Sequence, residues 1–261
     1  MIASLFVNGE QGAWFDPTDL NTLFQDAAGT TPVTAIGQPV GLIRDKSGNN
    51  NHASQAVAKA RPVLQQDDGG RFYLAFDGVD DFLATPTIDL SATDKATVLA
   101  GLRKLSDAAV KCPLQFESAA SSGGAFAWLY PPIAGSELFE ASVRGSSLAY
   151  GRMAAGAAPR SDVFAVLYDI GQEALTDEIV LRQNGLQKPF SASTGTAGTG
   201  NFAAQELYVG ANRLGAANFS GHVYGLILRG AQATDQEMSM VENYLGQNFN
   251  PFTMWRRRGR R

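Results

Sequence analysis

Short apolar segments recur along the chain between clusters of Gly, Asn, Asp and Pro, and most alternate apolar with polar positions at period two. That period puts successive side chains on opposite faces of an extended backbone, so the segments read as strands half-buried against a core. The pattern predicts strands over Ser4–Val7, Ala13–Phe15, Phe72–Phe76, Phe82–Thr85, Ala96–Leu105, Leu114–Ser118, Ala125–Tyr130, Glu137–Arg144, Ser147–Met153, Val163–Ile170, Glu178–Gln183, Gln205–Ala211 and His222–Arg229. Many short strands between turn residues are the signature of a sandwich or barrel. In Val163-Phe164-Ala165-Val166-Leu167-Tyr168 both faces are apolar, which predicts a central strand covered on both sides, by a second sheet or by a partner.

Turn chemistry supports antiparallel pairing. Asn184-Gly185 lies between two extended runs, and a type I′ hairpin needs φ > 0 at both central residues. Arg144-Gly145-Ser146-Ser147 is a second, weaker turn. From Ser191 to Gly200 no large apolar side chain occurs, which predicts a mobile surface loop, and strands of the same character on both sides argue against a domain linker. One helix is predicted near the end: Thr234 is placed to cap it, Glu237 completes a capping box, and Met238, Val241, Tyr244 and Leu245 share a face. Asp19–Gly37 reads as loop with a short helical turn around Leu20–Gln25, since Pro32 and Gly37 oppose anything longer.

Composition narrows this picture. With 261 residues, 44% of them hydrophobic, the chain is long enough for a substantial core, which excludes a disordered protein. Charged residues make up only 18%, and 28 Gly, 15 Phe and 7 Tyr suit a turn-rich all-β protein better than a helical bundle. The single Cys112 leaves no internal disulfide, and His52 and His222, the only histidines, leave no zinc module. Met1–Asn8 lacks the basic flank and apolar core of a signal peptide, and no run approaches the ~18 apolar residues of a membrane span. Cytoplasmic synthesis without membrane insertion is therefore expected.

Charge is unevenly placed. Arg256, Arg257, Arg258, Arg260 and Arg261 hold 5 of the 21 Lys and Arg, and without them the net charge falls from −4 to −9. Such a tail, with Trp255 beside it, is a candidate for docking on an acidic neighbour; a solvated terminus is the bland reading, and nucleic acid is the least favoured partner.

Asp45-Lys46-Ser47-Gly48-Asn49-Asn50-Asn51-His52, then Leu74-Ala75-Phe76-Asp77-Gly78-Val79-Asp80-Asp81, then further strands and a C-terminal helix bearing Glu242-Asn243-Tyr244-Leu245, form a series that resembles the laminin-G-like, concanavalin A-like jelly-roll family. The resemblance covers roughly Trp14 to Phe249. It implies an all-β, two-sheet antiparallel jelly-roll sandwich with a short C-terminal helix. The expected organisation is an irregular N-terminal segment over 1–40 packed on the sandwich, a jelly-roll domain over 41–250 and an Arg-rich tail over 251–261. At the front, Trp14-Phe15-Asp16-Pro17-Thr18-Asp19-Leu20, Leu23–Asp26, Gly29–Val33 and Gly37–Gly41 resemble the opening of proteins encoded among tailed-bacteriophage virion genes. That resemblance implies a virion component synthesised in the host cytoplasm, with other virion proteins as partners.

On this fold, function has to be argued from a site. Retaining glycosidases need two carboxyl groups about 5–5.5 Å apart. The nearest acidic cluster, Glu173-Ala174-Leu175-Thr176-Asp177-Glu178, lies in a turn entering a strand, where alternation keeps Glu173 and Glu178 off one face. Neither histidine has a nucleophile context; His52 is expected to bond and pack its turn, and His222 to sit at a strand edge. Asp45, Asn49, Asn51, Asp77, Asp80 and Asp81 supply hard oxygen ligands, so Ca²⁺ is a candidate cofactor, while Asx turns explain both clusters without a metal. Trp128, Tyr130, Tyr150 and Tyr224 are candidate sugar platforms, with core or interface packing as the alternative. The expectation is a non-enzymatic virion protein in tail, fibre or baseplate that binds host surface glycan. The alternative is a capsid decoration or spike protein with a structural role; a glycan hydrolase comes third. A homo-oligomer, a trimer on a fibre, is the symmetry expectation.

Overall fold

The computed structural model describes residues 2–119, 122–131 and 137–247. Two antiparallel sheets dominate it. In the first, the strands run in the order Leu186–Gln187, Ile179–Gln183, Arg160–Asp169, Lys95–Lys104, Ser220–Arg229, Phe72–Asp77 and Val63–Gln66, with Gly12–Phe15 pairing along the Arg229 end of Ser220–Arg229. The second runs Ala192–Thr194, Leu148–Ala154, Leu138–Arg144, Ala125–Tyr130, Lys111–Phe116, Leu207–Val209, Leu83–Ala84, Ala53–Ser54, Leu42–Ile43 and Leu23–Phe24. A small third sheet pairs Ala204–Gln205 with Ile88–Asp89.

The core lies between the two large sheets. Phe164, Val166 and Tyr168 from the first sheet meet Phe126, Trp128 and Phe139 from the second. Phe139 stacks on Phe164 with ring centroids 4.3 Å apart, and Trp128 Nε1 donates to the Tyr168 hydroxyl at 3.0 Å, so the one polar atom of each buried ring is satisfied. The doubly apolar run also has an outer side. Val163 and Ala165 point away from the second sheet and are covered by Met238, Val241 and Leu245 of the Asp235–Gln247 helix, together with Ile2, Leu5 and Phe6. The central strand is thus buried between a sheet on one face and helical elements of the same chain on the other.

That outer layer explains a departure from the expected pattern. Ile2–Phe6 forms a 3₁₀ helix where a strand over Ser4–Val7 is predicted. Ile2, Leu5 and Phe6 stand at i, i+3 and i+4, which gathers three apolar side chains on one helical face over the sheet. The Asp235–Gln247 helix carries the predicted capping box: Glu237 accepts the Thr234 N–H at 2.8 Å, and Thr234 Oγ1 accepts the Glu237 N–H at 3.3 Å. Thr97, on the outer side of the sheet, donates to the Ala231 carbonyl and accepts the Ala233 N–H, both at 2.8 Å, fixing the approach to the helix. At Gly225 a Cβ would lie 2.9 Å from a Leu245 methyl, so the glycine lets helix and sheet close up.

The predicted hairpin is present. Asn184 and Gly185 take φ of 53° and 82° between the paired residues Gln183 and Leu186. Elsewhere the pattern misplaces boundaries. Within residues 1–40 the predicted Ala13–Phe15 strand is present as Gly12–Phe15, while Leu23–Phe24, expected as part of a helical turn, adds to the edge of the other sheet. The Gln205–Ala211 stretch divides between two sheets. Ser191–Gly200 is more ordered than a mobile loop: Ala192–Thr194 pairs with Tyr150–Arg152, and buried Ala197 gives its N–H to both Glu178 oxygens at 2.9 Å. Small side chains are needed there for close approach, which is also why no apolar periodicity announces the element.

Candidate functional site

The predicted site residues separate into three groups. The first is structural. Asp45 Oδ1 accepts the Trp14 and Ser47 N–H groups, both at 2.8 Å, while Oδ2 accepts the Ser47 hydroxyl at 2.7 Å and the Asn51 N–H at 3.0 Å. Asn49 and Asn51 donate their amides to the Gly12 carbonyl at 3.2 and 2.7 Å, and His52 Nδ1 accepts the Asp45 N–H at 3.1 Å. This network ties the turn to the Gly12–Phe15 strand. For this first cluster the Asx-turn alternative describes what is seen, because the Asp45 oxygens are taken by donors of their own turn and of the Gly12–Phe15 strand.

Asp77, Asp80 and Asp81 do converge, with ligand oxygens within 4.8 Å of one another. Asp77 Oδ1 accepts the Val79 N–H at 2.8 Å, Asp81 Oδ2 accepts the Asp77 N–H at 3.0 Å, and Lys59 pairs with Asp80 at 2.7 Å. Burial, with Asp77 and Asp80 nearby, pushes the Asp81 carboxyl up to about 6. These three carboxylates could hold a cation together, and Lys59 already neutralises part of their charge.

Three of the four aromatic candidates lie in the interior. Trp128 and Tyr130 point into the inter-sheet core and Tyr224 is 2% exposed beside Tyr73, so none presents a ring face to a sugar. Alternation corrects the expectation for Trp128 and Tyr130, which share the inward face of their strand with Phe126, while Tyr224 is covered by its neighbours Tyr73 and Arg71. His222 is also displaced from its expected strand edge; it lies within the central Ser220–Arg229 strand and stacks on Tyr73 with centroids 4.0 Å apart. The acidic Glu173–Glu178 stretch gives no catalytic pair, because Glu178 is fully buried at the end of a one-turn helix and bound to Ala197. Cys112 is buried, and desolvation pushes its thiol up to about 12.

Tyr150 remains, and its neighbours define a surface. Ala149 and Met153 point into the core, so Tyr150 and Arg152 face outward. The same argument turns Glu140, Ser142 and Arg144 outward on the next strand, then Ala127, then Gln115, then Tyr208. The register places Tyr150 opposite Ser142, Ser142 opposite Ala127, Ala127 opposite Gln115 and Gln115 opposite Tyr208. A row therefore crosses the outer face of the second sheet, with a tyrosine at each end and small or amide side chains between. Four steps of about 4.8 Å between strands set the two tyrosines roughly 19 Å apart.

Both ends of the row are braced. The Arg152 guanidinium lies 4.5 Å from the Tyr150 ring centroid, and its Nε donates to Glu140 at 2.6 Å. At the other end the Tyr208 hydroxyl donates to Glu206, and Phe82 leans on the ring with centroids 6.3 Å apart. Burial, and next the Glu206 carboxylate, push the Tyr208 hydroxyl up to about 12, so it stays a donor. Gln115 accepts the Arg213 N–H at 2.7 Å and donates to Glu117 at 2.6 Å. Such a strip offers aromatic surface, hydroxyls and charged groups over a low floor, the combination that recognises a polar ligand with an apolar side. The strand pattern alone marks Tyr208 as outward, between inward Leu207 and Val209; its partnership with Tyr150 depends on sheet order.

No family model matches the chain, and no curated protein matches it by sequence. Solved structures do match its fold. The binding domain of botulinum neurotoxin DC, in complex with rat synaptotagmin II, superposes with a TM-score of 0.57 at 10% identity, over 92% of this chain and 52% of that one. The ligand binding domain of botulinum neurotoxin serotype D, in complex with N-acetylneuraminic acid, gives 0.53 at 10% identity over 77% and 48%. The Trypanosoma rangeli sialidase, in complex with 2,3-difluoro-KDN, gives 0.56 at 11% identity over 91% and 32%. The chain spans about half the length of those toxin domains and about a third of the sialidase. At such identities the likeness shows the fold, an all-β sandwich of the jelly-roll type.

Proposed function

We propose that this chain is a non-enzymatic carbohydrate-binding module that takes its glycan on the outer face of the second sheet, along the row from Tyr150 to Tyr208. The observation that carries the reading is the row itself: two outward tyrosines, each held by polar partners, flank Ser142, Ala127 and Gln115 on adjacent strands. The low floor admits an extended chain of sugar rings, while hydroxyl, amide and charged groups along it suit sugar hydroxyls. Neighbours of the same fold were solved with N-acetylneuraminic acid and with a difluorinated sugar acid, which supports carbohydrate as the ligand class.

Binding is favoured over hydrolysis by the state of the carboxylates near the row. Glu140 is paired with Arg152, Glu206 accepts the Tyr208 hydroxyl, and Glu117 lies 3.7 Å from Arg213. Each is committed to a neighbour, whereas a general acid has to present its proton to the glycosidic oxygen. The phage-like front segment supports a place on a virion, in tail, fibre or baseplate, where the glycan would be that of the host surface and other virion proteins the partners. Copies on one particle would add avidity to weak individual sites.

The test is binding of the purified chain to host envelope polysaccharide, beside Tyr208→Ala and Tyr150→Ala. Each variant is expected to weaken binding about tenfold, the order of one lost aromatic contact of 1–2 kcal/mol. Unchanged binding in both would move the site off this face, and release of reducing ends by the unmodified chain would restore the hydrolase.

A further inference from the structure

Arg152 and Arg144 stand on the two sides of the Tyr150–Ser142 pair. Arg152 shares a row with Glu140, Arg144 shares a row with Leu148, and each row lies two residues, about 7 Å, from the Tyr150–Ser142 row. Glu140 offsets Arg152, so Arg144 leaves this end of the face with one cation unmatched among the described residues, in a chain whose net charge is −4.

Arg152 is built to present its guanidinium. The Glu140 side chain is 9% exposed and fixes Nε, while the Arg152 side chain is 24% exposed and lies over the Tyr150 ring. Among the described residues its hydrogen bond to the protein runs through Nε, so the donors of both Nη groups are left over. The ion pair and the cation–π contact hold the guanidinium plane before any ligand arrives, which removes much of the rotamer entropy that a lysine or an unsupported arginine would lose on binding. Arg144 makes no side-chain hydrogen bond or ion pair with the described residues. Two parallel N–H donors in one plane match the two oxygens of a carboxylate.

We propose that the Tyr150 end of the row selects carboxylate-bearing sugars, of the uronic or sialic acid class, with the Nη donors of Arg152 binding the carboxylate and Arg144 adding attraction from the other side. This rests on the glycan-binding reading above and adds to it the acidic class of the ligand and the residues that choose it. The remainder of the row, toward Gln115 and Tyr208, would contact neutral parts of the same chain.

The experiment is a glycan array on which each carboxylated oligosaccharide is printed beside its carboxyl-reduced form and a sulfated counterpart, probed with the full chain, Arg152→Lys, Arg144→Gln and the double variant Arg152→Gln/Glu140→Gln. Arg152→Lys keeps a cation for Glu140, the double variant leaves no buried charge unpaired, and Arg144→Gln breaks no bond, so loss of fold does not confound the result. The full chain is expected to bind the carboxylated members about tenfold better than their reduced forms, as one charge-assisted bidentate contact provides. Arg152→Lys and the double variant should lose that preference, carboxylated and reduced forms then binding alike, and Arg144→Gln should weaken the acidic members selectively, in a salt-sensitive way. Equal binding of carboxylated and reduced forms, a sulfate preference, or a preference that survives in Arg152→Lys would overturn the inference and leave the glycan-binding reading standing. Absence of binding to every member would defeat that reading itself.

Discussion

His222 illustrates how one residue reports its surroundings. Burial, and next the Arg103 charge, lower its pKa to about 4, with Asp67 opposing; its Nδ1 and the Arg103 Nε are buried without hydrogen-bond partners among the described residues. The folded protein keeps this imidazole neutral while the unfolded chain takes up a proton near pH 6.5, so the unfolded state binds more protons in between. Its contribution to stability is present above pH 6.5 and is lost as pH falls toward 4. Thermal melts of the protein and His222→Gln should diverge across that interval, the variant losing less Tm on acidification; parallel curves would mean that the imidazole titrates normally. Little of this was legible in the sequence, since a histidine two residues into a strand reads as a rim position until the neighbouring strands are known. His52 was legible, because its bond to Asp45 is made within one turn.

Among elements, the Asp235–Gln247 helix was legible from its cap and apolar face because both signals are local. The 3₁₀ turn at Ile2–Phe6 was not, since three apolar residues spaced for one helical turn also fit a short strand, and the choice is made by the outer face of a sheet far along the chain. Two-residue strands such as Leu23–Phe24, Leu42–Ile43 and Ala53–Ser54 are too short to show alternation at all. Helix docking has a measurable consequence. Leu245 is 1% exposed and touches the position of Gly225, so Leu245→Ala removes its contacts and leaves a cavity. The expected loss is about 2–5 kcal/mol. Denaturant unfolding that showed a loss below about 0.5 kcal/mol, a surface-like value, would mean that the helix is not an integral layer of the fold.

At the scale of the molecule, sheet order determines what the sequence can disclose. The sandwich was legible because inward positions repeat in almost every strand, and Val163–Tyr168 marked its centre. The candidate site was only partly legible, through Tyr150. Trp128 and Tyr130 have the ring area of a sugar platform, yet alternation sends them inward with Phe126. The proposed binding face consists of outward residues that look ordinary one at a time, and Tyr150 and Tyr208 share a row only because Leu207–Val209, far along the chain, pairs beside Lys111–Phe116 at the edge of four consecutive strands. The Trp255 and Arg256, Arg257, Arg258, Arg260, Arg261 tail lies outside the described residues, and its docking role rests on charge alone.

The central claim is that this outer face binds surface glycan. The most direct measurement is binding of the labelled full chain to host cells before and after enzymatic removal of surface polysaccharide, beside Tyr208→Ala. Binding that disappears on stripping and falls about tenfold in the variant is the predicted result. Binding that survives stripping, or is unaffected by Tyr208→Ala and Tyr150→Ala alike, would contradict it.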